Sequence, residues 1–509
     1  MKRIWLTNGT LIDGTGAPPK RGDVLIDQDR IAAVGRFGPP PDALAIDCRG
    51  LTITPGIIDA HSHSDLKALE GRCEKLAQGV TTEIVGNCGF SAFPAPPDRA
   101  PLHEFANGIL CGCGDWGWKS AGDYLADARR RAPVNVESLV GHGTLRVSVA
   151  GNRQGPLSPR ELDTMEAKLA ESLQEGACGF STGLMYAPGS SAPFEELERL
   201  CRVTARAGKI YTTHMRDYAG RLVEAVEEQI ELARRTGCRL QISHLQAVGR
   251  KNWTRQQEAL EKIERARQEG IDVAFDAYPY VAGSTVLTQW LPQWALDGGT
   301  EAMLARFRDK AVRKRIIGEM LAMLAQEWTD LYVSAVGSTK NQSLVGRHLE
   351  SIAEERGRDP AELVLDLITE ERGAITILEF NQSEANLKEL LAHPLSIVVS
   401  DGFYVKGRPH PRLHGAFPLL LGEMCRKRGW LALTEAVRKV TDLPARRFGL
   451  QGRGRLAPGY LADILVFDAE RIGSPATYED PERPPVGIRW VLREGRTVLG
   501  EAPRGAAMG

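Results

Sequence analysis

The chain has 509 residues, 42% hydrophobic and 25% charged, proportions of a soluble globular protein with a large core rather than of a disordered or fibrous one. Its 64 basic and 65 acidic residues leave a formal net charge of −1, so nothing favours a polyanionic partner such as nucleic acid. No apolar stretch is long enough to span a bilayer, and the start, MKRIWLTNGTLIDG, lacks an apolar core of signal-peptide length. Nine cysteines, an odd number scattered along a long chain, argue against a disulfide framework and for a reducing compartment, most simply the cytoplasm.

Residues 1–55 read as short strands. In RIWLTNGTLIDG, GDVLIDQDRIAAVG and AIDCRGLTITPG apolar and polar residues alternate, and Gly, Asn and Asp mark the turns. The pattern returns near the other end, in GRLAPGYLADILVFDAE (454–470) and VGIRWVLREGRTVLG (486–500). Residues 1–55 with 421–509 are therefore expected to form one small β domain, assembled from both chain ends as a sandwich.

The middle, 56–420, alternates strand-like runs with helix-like stretches. The runs are 57–61, 82–85, 135–140, 179–182, 209–214, 239–244, 272–276 and 396–401. Between them, SPRELDTMEAKLAESLQEG (158–176) has a Ser-Pro start, an acidic first turn and a Gly stop, and RQQEALEKIERARQEG (255–270) has helical apolar spacing. Strand–helix repetition argues for a parallel α/β fold, and about eight units argue for a TIM-type (β/α)8 barrel. Residues 287–345 break the rhythm, as either an insertion that decorates the barrel or a lid over its mouth. AITILEF (374–380) is a further strand, in the barrel or outside it.

Chemistry gathers at the ends of the runs. In a strand, residues i and i+2 face the same way, so His61 and His63 share a side at the barrel's C-terminal mouth. His214, His244 and Asp401 close other runs at the same end. Imidazoles with a carboxylate suit zinc or a similar divalent ion. A metal-bound water of lowered pKa is then the expected nucleophile, with Asp401 as general base and then acid. Cys88, in the Gly-rich turn GNCGFS after another run, is a packing residue, a nucleophile or a metal ligand; a disulfide is the weakest reading. The CxC of CGCGDWGW (111–118) reads as a loop, His142 as packing or a pocket wall, and His410 as a loop residue.

TPGIIDAHSHSD (54–65) together with GRLAPGYLADILVFD resembles the amidohydrolase superfamily over essentially the whole chain. GVTTEIVGNCGFS, LVGHGTLR, GFSTGLMYAPG, YTTHMRD, QISHL, DAYPYVAGST and SDG…HPR, in that order, resemble its N-acyl-D-amino-acid deacylase branch. The resemblance implies one tight zinc site of Cys88, His214 and His244. It implies a second, weaker position of His61, His63 and Asp401. Most superfamily members bridge two metals with a carboxylated lysine on the fourth strand, but GACGFSTGLMY has none, and a Cys88 thiolate would supply the missing negative ligand.

The same resemblance gives Arg412 the substrate carboxylate, with Tyr278 and Ser284 as helpers, and puts Tyr186 beside the scissile carbonyl. Taken alone, Arg412 reads as a surface charge and the tyrosines as core. Branch members tend to carry a lysine two residues after the sixth-strand histidine, where this chain has Gln246; Arg250 and Lys251 follow in a different register. The implied activity is zinc-dependent hydrolysis of a small N-acyl-D-amino acid, with an oligomer left open. A cyclic amidase of the dihydroorotase or hydantoinase type is the alternative, disfavoured by the absent lysine. A non-catalytic barrel scaffold comes last.

Overall fold

The computed structural model describes residues 3–112 and 116–500, so Cys113 of the CxC pair lies outside the described residues. Eight strands form one parallel sheet in chain order: Ile57–Asp59, Val80–Val85, Asn135–Gly141, Gly179–Gly183, Ile210–His214, Arg239–Ile242, Val273–Ala277 and Ser396–Val398. They coincide with the apolar runs because strands covered on both faces carry continuous rather than alternating hydrophobicity. Just past the strand ends, Ser62 bridges Gly402 in parallel, and the sheet closes into a TIM-type barrel.

The intervening helices follow their sequence signals. Ser158 caps Pro159–Gln174 in a reciprocal box with Glu161. Leu222–Thr236 stops at Gly237, whose φ of 70° suits the left-handed stop. Arg255–Gln268 buries Ala259, Leu260, Ile263 and Ala266 on one face.

The chain ends build a second, eight-stranded sheet. Arg3–Leu11 runs parallel to both Ala43–Asp47 and Thr52–Pro55 and antiparallel to Lys20–Asp27, while Ile464–Phe467 joins antiparallel to Thr52–Pro55. Leu6, Val24, Ile26, Ile53, Ile464 and Leu492 give it a core of its own.

Residues 433–450, grouped with the terminal strands by sequence, pack under the barrel. Arg447 reaches Asp272 and the Leu240 carbonyl, and the Lys439 ammonium bonds the Ser396 carbonyl at 3.1 Å, all at the N-terminal ends of strands. Phe448 and Ala445 join Ile58, Ile84, Leu139, Ile210 and Ile397 in one buried cluster.

The excursion between the seventh and eighth strands runs further than 287–345. Ala282–Val286, Ile375–Phe380 and Leu331–Val336 make a three-stranded antiparallel sheet. With the helices Gly299–Arg308, Lys310–Met323, Leu349–Arg356 and Pro360–Glu370 it encloses its own core around Leu287, Phe307, Val333, Leu363 and Ile377. AITILEF is the middle strand of that sheet, outside the barrel. Its helices and strands mimic the barrel's rhythm, so periodicity alone does not mark where the excursion ends. Among the described residues, no helix is long and apolar enough to cross a membrane.

Phe448 is 4% exposed and closes the barrel floor. Phe448→Ala should lower stability by about 3–5 kcal/mol through the cavity it leaves, read as a fall in the chemical-denaturation midpoint. An unchanged midpoint would mean that the floor is sealed without it.

Candidate metal centre

Each ligand candidate is delivered by a strand end. His61 and His63 follow the first strand and are both buried. Ser62, between them, faces the other way and donates to Glu83 Oε2 at 2.6 Å; Lys75 Nζ sits 3.2 Å from Ser62 Oγ and 2.5 Å from Ser400 Oγ while pairing with Asp59. Ser400 N in turn donates to Asp59 Oδ1 at 3.0 Å. This buried lattice fixes the first and eighth strand ends together, directly behind the groups that face the cavity.

Cys88 follows the second strand in a turn where Gly86 (φ 78°), Cys88 (φ 53°) and Gly89 (φ 79°) are all left-handed. Gly86 has no alternative, because a Cβ there would stand 2.2 Å from the Leu139 carbonyl oxygen. His244 (φ 35°) and Asp401 (φ 51°) also hold left-handed backbone, which is costly for residues with a side chain. Three of the six ligand candidates are thus turned inward by conformations that the surrounding structure has to impose.

The six converge. Cys88 Sγ lies 3.3 Å from His61 Nε2 and 3.5 Å from His244 Nε2. Asp401 Oδ1 lies 3.3 Å from the Nε2 atoms of both His61 and His63. The triads Cys88–His214–His244, His61–His63–Cys88 and His61–His244–Asp401 each offer ligand atoms within 4.8 Å of one another. Both ring nitrogens of His214 are buried without a hydrogen-bond partner. Such orphaned atoms are costly unless a ligand takes them up, and a divalent cation fits this donor set of imidazole, thiolate and carboxylate.

Electrostatics agree. Burial holds the His214 imidazole well below its usual range and brings His244 down to about 4, so both stay neutral and ready to ligate. Burial pushes the Cys88 thiol up, against the pull of His61. Its thiolate therefore needs a cation beside it. Burial pushes Asp401 up as well, but Arg412 and His61 outweigh it and hold the carboxyl well below the carboxylate range.

A cavity of about 580 Å³ opens above the centre, and Cys88, His63, His214, His244 and Asp401 reach into it. Tyr186, Gln246, Tyr278, Ser284 and Arg412 line the same cavity. Arg412 is no surface charge: it is 2% exposed, pairs with Asp401 Oδ2 at 2.9 Å and lies 4.8 Å over the Tyr278 ring. Its Nε is buried without a partner. Ser284 meets it through the main-chain carbonyl, which accepts from Nη2 at 3.5 Å. The Tyr278 hydroxyl donates to Gln246 Oε1 at 3.0 Å. The Tyr186 ring stands 4.9 Å from that of His214, and burial pushes its hydroxyl up, so it remains a proton donor.

Other candidates go elsewhere. His142 is buried outside the cavity lining and bonds Glu196 at 2.7 Å. His410 sits in a loop, as expected, and its Nδ1 accepts from the Arg412 amide at 3.0 Å. Arg250 lies 3.7 Å from Asp330, while Lys251 lines the cavity and bonds the Leu324 carbonyl at 3.1 Å. Three groups escape the sequence reading. Asp276, on the seventh strand, lies 3.3 Å from His61 Nδ1 and accepts from the His244 amide at 2.7 Å. It closes an apolar run just as Asp401 does, and that signal was available. Lys75 carries no such mark. Glu379, a carboxylate inside AITILEF, reaches the cavity from the excursion.

Comparison with known proteins follows the same lines. Residues 44–499 match the model of the amidohydrolase family. The chain is 37% identical over 506 residues to a D-aminoacylase of Alcaligenes xylosoxydans xylosoxydans, covering 98% of this chain and 94% of the relative. It is 36% identical over 500 residues to an N-acyl-D-glutamate deacylase of the same organism, again covering 98% and 94%. The structure of N-acyl-D-glutamate deacylase from Bordetella bronchiseptica, complexed with zinc and a phosphonate mimic of the tetrahedral intermediate, superposes with a TM-score of 0.84. It is 34% identical and covers 99% of this chain and 98% of that one.

If Cys88 is a metal ligand, chelator-stripped protein should gain thermal stability when zinc is added. Cys88→Ala should lose that gain together with its bound zinc, measured by elemental analysis. A zinc-replete but inactive variant would make Cys88 a nucleophile, and a fully active one would leave it a packing residue.

Proposed function

We propose, on the premise that the chain belongs to the amidohydrolase family, that it is a zinc-dependent hydrolase of N-acyl-D-amino acids, releasing a carboxylate and a free D-amino acid. The observation that carries the reading is the convergence of one cysteine, four histidines and one aspartate at the mouth of the barrel, beneath a cavity that holds a buried arginine. The fourth strand, Gly179–Gly183, offers no lysine to bridge two metals, which weighs against a cyclic amidase. The D configuration is taken from the substrates named for the relatives.

In this reading Cys88, His214 and His244 hold the tight ion, and His61, His63 and Asp401 form the weaker position. Zinc, when bound, supplies Lewis acidity toward the amide carbonyl and acidifies water. The chain's own groups do the rest. Arg412 orients the substrate by its carboxylate, with Tyr278 and Ser284 behind the guanidinium and Gln246 on the Tyr278 hydroxyl. Tyr186 donates to the carbonyl oxygen as negative charge builds on it. Asp401, ionised at neutral pH, takes the proton of the attacking water and passes it to the leaving nitrogen. One chain supplies every group named, so an oligomer is compatible with the reading but not required by it. The enzyme would work on small molecules in the cytoplasm, without nucleic acid or membrane.

Assays against N-acetyl-D- and N-acetyl-L-amino acids, beside hydantoin and dihydroorotate, test the reading. Hydrolysis of the D-acyl compounds alone is expected; turnover of the cyclic amides instead would replace it. Asp401→Asn should lower kcat by roughly 10²- to 10⁴-fold, measured at saturating substrate. A smaller loss would remove Asp401 from the proton transfer.

A further inference from the structure

The far wall of the cavity carries groups that the reaction does not use. Glu379 sits on the middle strand of the excursion sheet, directly opposite Gly283, and its carboxylate lines the cavity while the residue is only 7% exposed. Among the described residues, the partners of that carboxylate are neutral amides: Gln326 Nε2 donates to Oε2 at 2.7 Å, and the Asn381 amide faces it too. The other acid that joins this cavity to the metal centre, Asp401, already has Arg412.

Asn381 supplies an independent observation. It lines the same cavity, is 3% exposed, and its Oδ1 is buried with no donor in reach. Arg412 and Lys251 also line the cavity, but the carboxylate's hydrogen bonds come from amides rather than from a cation, and the orphaned acceptor beside it adds a second unfilled lone pair. Space has been kept there: a Cβ on Gly283 would stand 3.2 Å from the Tyr278 hydroxyl and 3.3 Å from Asn381 Nδ2. Met320 and Leu324, from the end of the helix Lys310–Met323 and just beyond, bring apolar surface to the same cavity.

We propose that Glu379, Asn381 and Gln326 form a subsite for a cationic side chain, an ammonium or guanidinium at the end of an aliphatic stem, so that the preferred substrates are N-acyl derivatives of basic amino acids. The assignment rests on the deacylase reading above. Burial pushes the Glu379 carboxyl up to about 7, and an incoming cation offsets that cost by pairing with it. Arg412, assigned to the substrate carboxylate, is near enough for its charge to act on Glu379. The α-carbon of an amino acid carries both carboxylate and side chain. With the carboxylate at Arg412 and the acyl end at the metal, the group left to reach Glu379 is the side chain, and its methylenes run along Met320 and Leu324.

The test measures kcat/KM for N-acetyl-D-lysine and N-acetyl-D-arginine beside N-acetyl-D-norleucine and N-acetyl-D-glutamate, in the wild type and in Glu379→Gln. The wild type should favour the basic substrates over norleucine by roughly 10- to 100-fold, the worth of a charged hydrogen bond. In Glu379→Gln that ratio should fall to within about threefold of unity, mainly through KM. Should the variant fail to fold, the wild-type ratio decides alone. Hydrolysis of norleucine or glutamate derivatives as well as of the basic ones overturns the subsite and leaves the deacylase reading standing. A variant that loses all substrates equally while keeping the ratio makes Glu379 a structural residue and also overturns the subsite. Hydrolysis of none of the panel by the wild type removes the deacylase reading and the subsite with it.

Discussion

The centre depends on the closure of the barrel between its first and eighth strands. Asp401 N donates to the His61 carbonyl at 2.9 Å, and His63 N donates to the Gly402 carbonyl at 3.0 Å. Those main-chain bonds carry three ligand candidates on the residues that make them. Behind them, Ser400 Oγ bonds Asp59 Oδ2 at 2.5 Å across 341 positions of sequence, and Lys75 ties both to Ser62. A buried ammonium between Asp59 and Glu83 is tolerable only because every charge in the group has a partner. Disturb the closure and His61, His63 and Asp401 move apart together.

In front of that seam the balance is reversed. The groups at the centre are a thiol that burial pushes up, the His214 and His244 imidazoles that burial keeps neutral, and a carboxylate flanked by Arg412, His61 and His63. Behind the seam the protein completes its own ion pairs; in front the ligand atoms of Cys88, His214 and His244 lie within 4.8 Å of one another. The left-handed backbone at Cys88, His244 and Asp401 belongs to the same arrangement, since these conformations are held by glycine turns, the Asp276 carboxylate and the barrel seam respectively.

The sequence revealed the barrel because its strands are covered on both faces and so read as apolar runs, several of them ending in a candidate ligand. His61, His63, His214, His244 and Asp401 were legible by position alone. Cys88 was not: its turn admits packing, nucleophile or ligand, and family likeness was needed to choose. Arg412 was illegible for a different reason. Nothing in HPR predicts burial, which arises from the Tyr278 and Phe403 rings it lies over and from its pairing with Asp401. The segment 433–450 followed the terminal strands in sequence, yet its lysine, arginine and phenylalanine answer to the barrel floor. Contacts between distant parts of the chain set that allegiance, and periodicity does not report them.

The excursion adds a wall to the cavity without interrupting the ligand-bearing strand ends. It leaves from the seventh strand, builds its own core and returns to the eighth, so the ligands on either side keep their seam. It is tied to the barrel loop near 250, where the Trp253 indole and Gly249 both donate to the Asn381 carbonyl. Those two bonds fix the main chain two residues from Glu379, and Glu379 and Asn381 both line the cavity. The ligand candidates, Gln246, Tyr278 and Arg412 thus stand on the barrel, and Gln326, Glu379 and Asn381 line the same cavity from the excursion. Changes in the second element can alter what is bound while the first retains what is done to it.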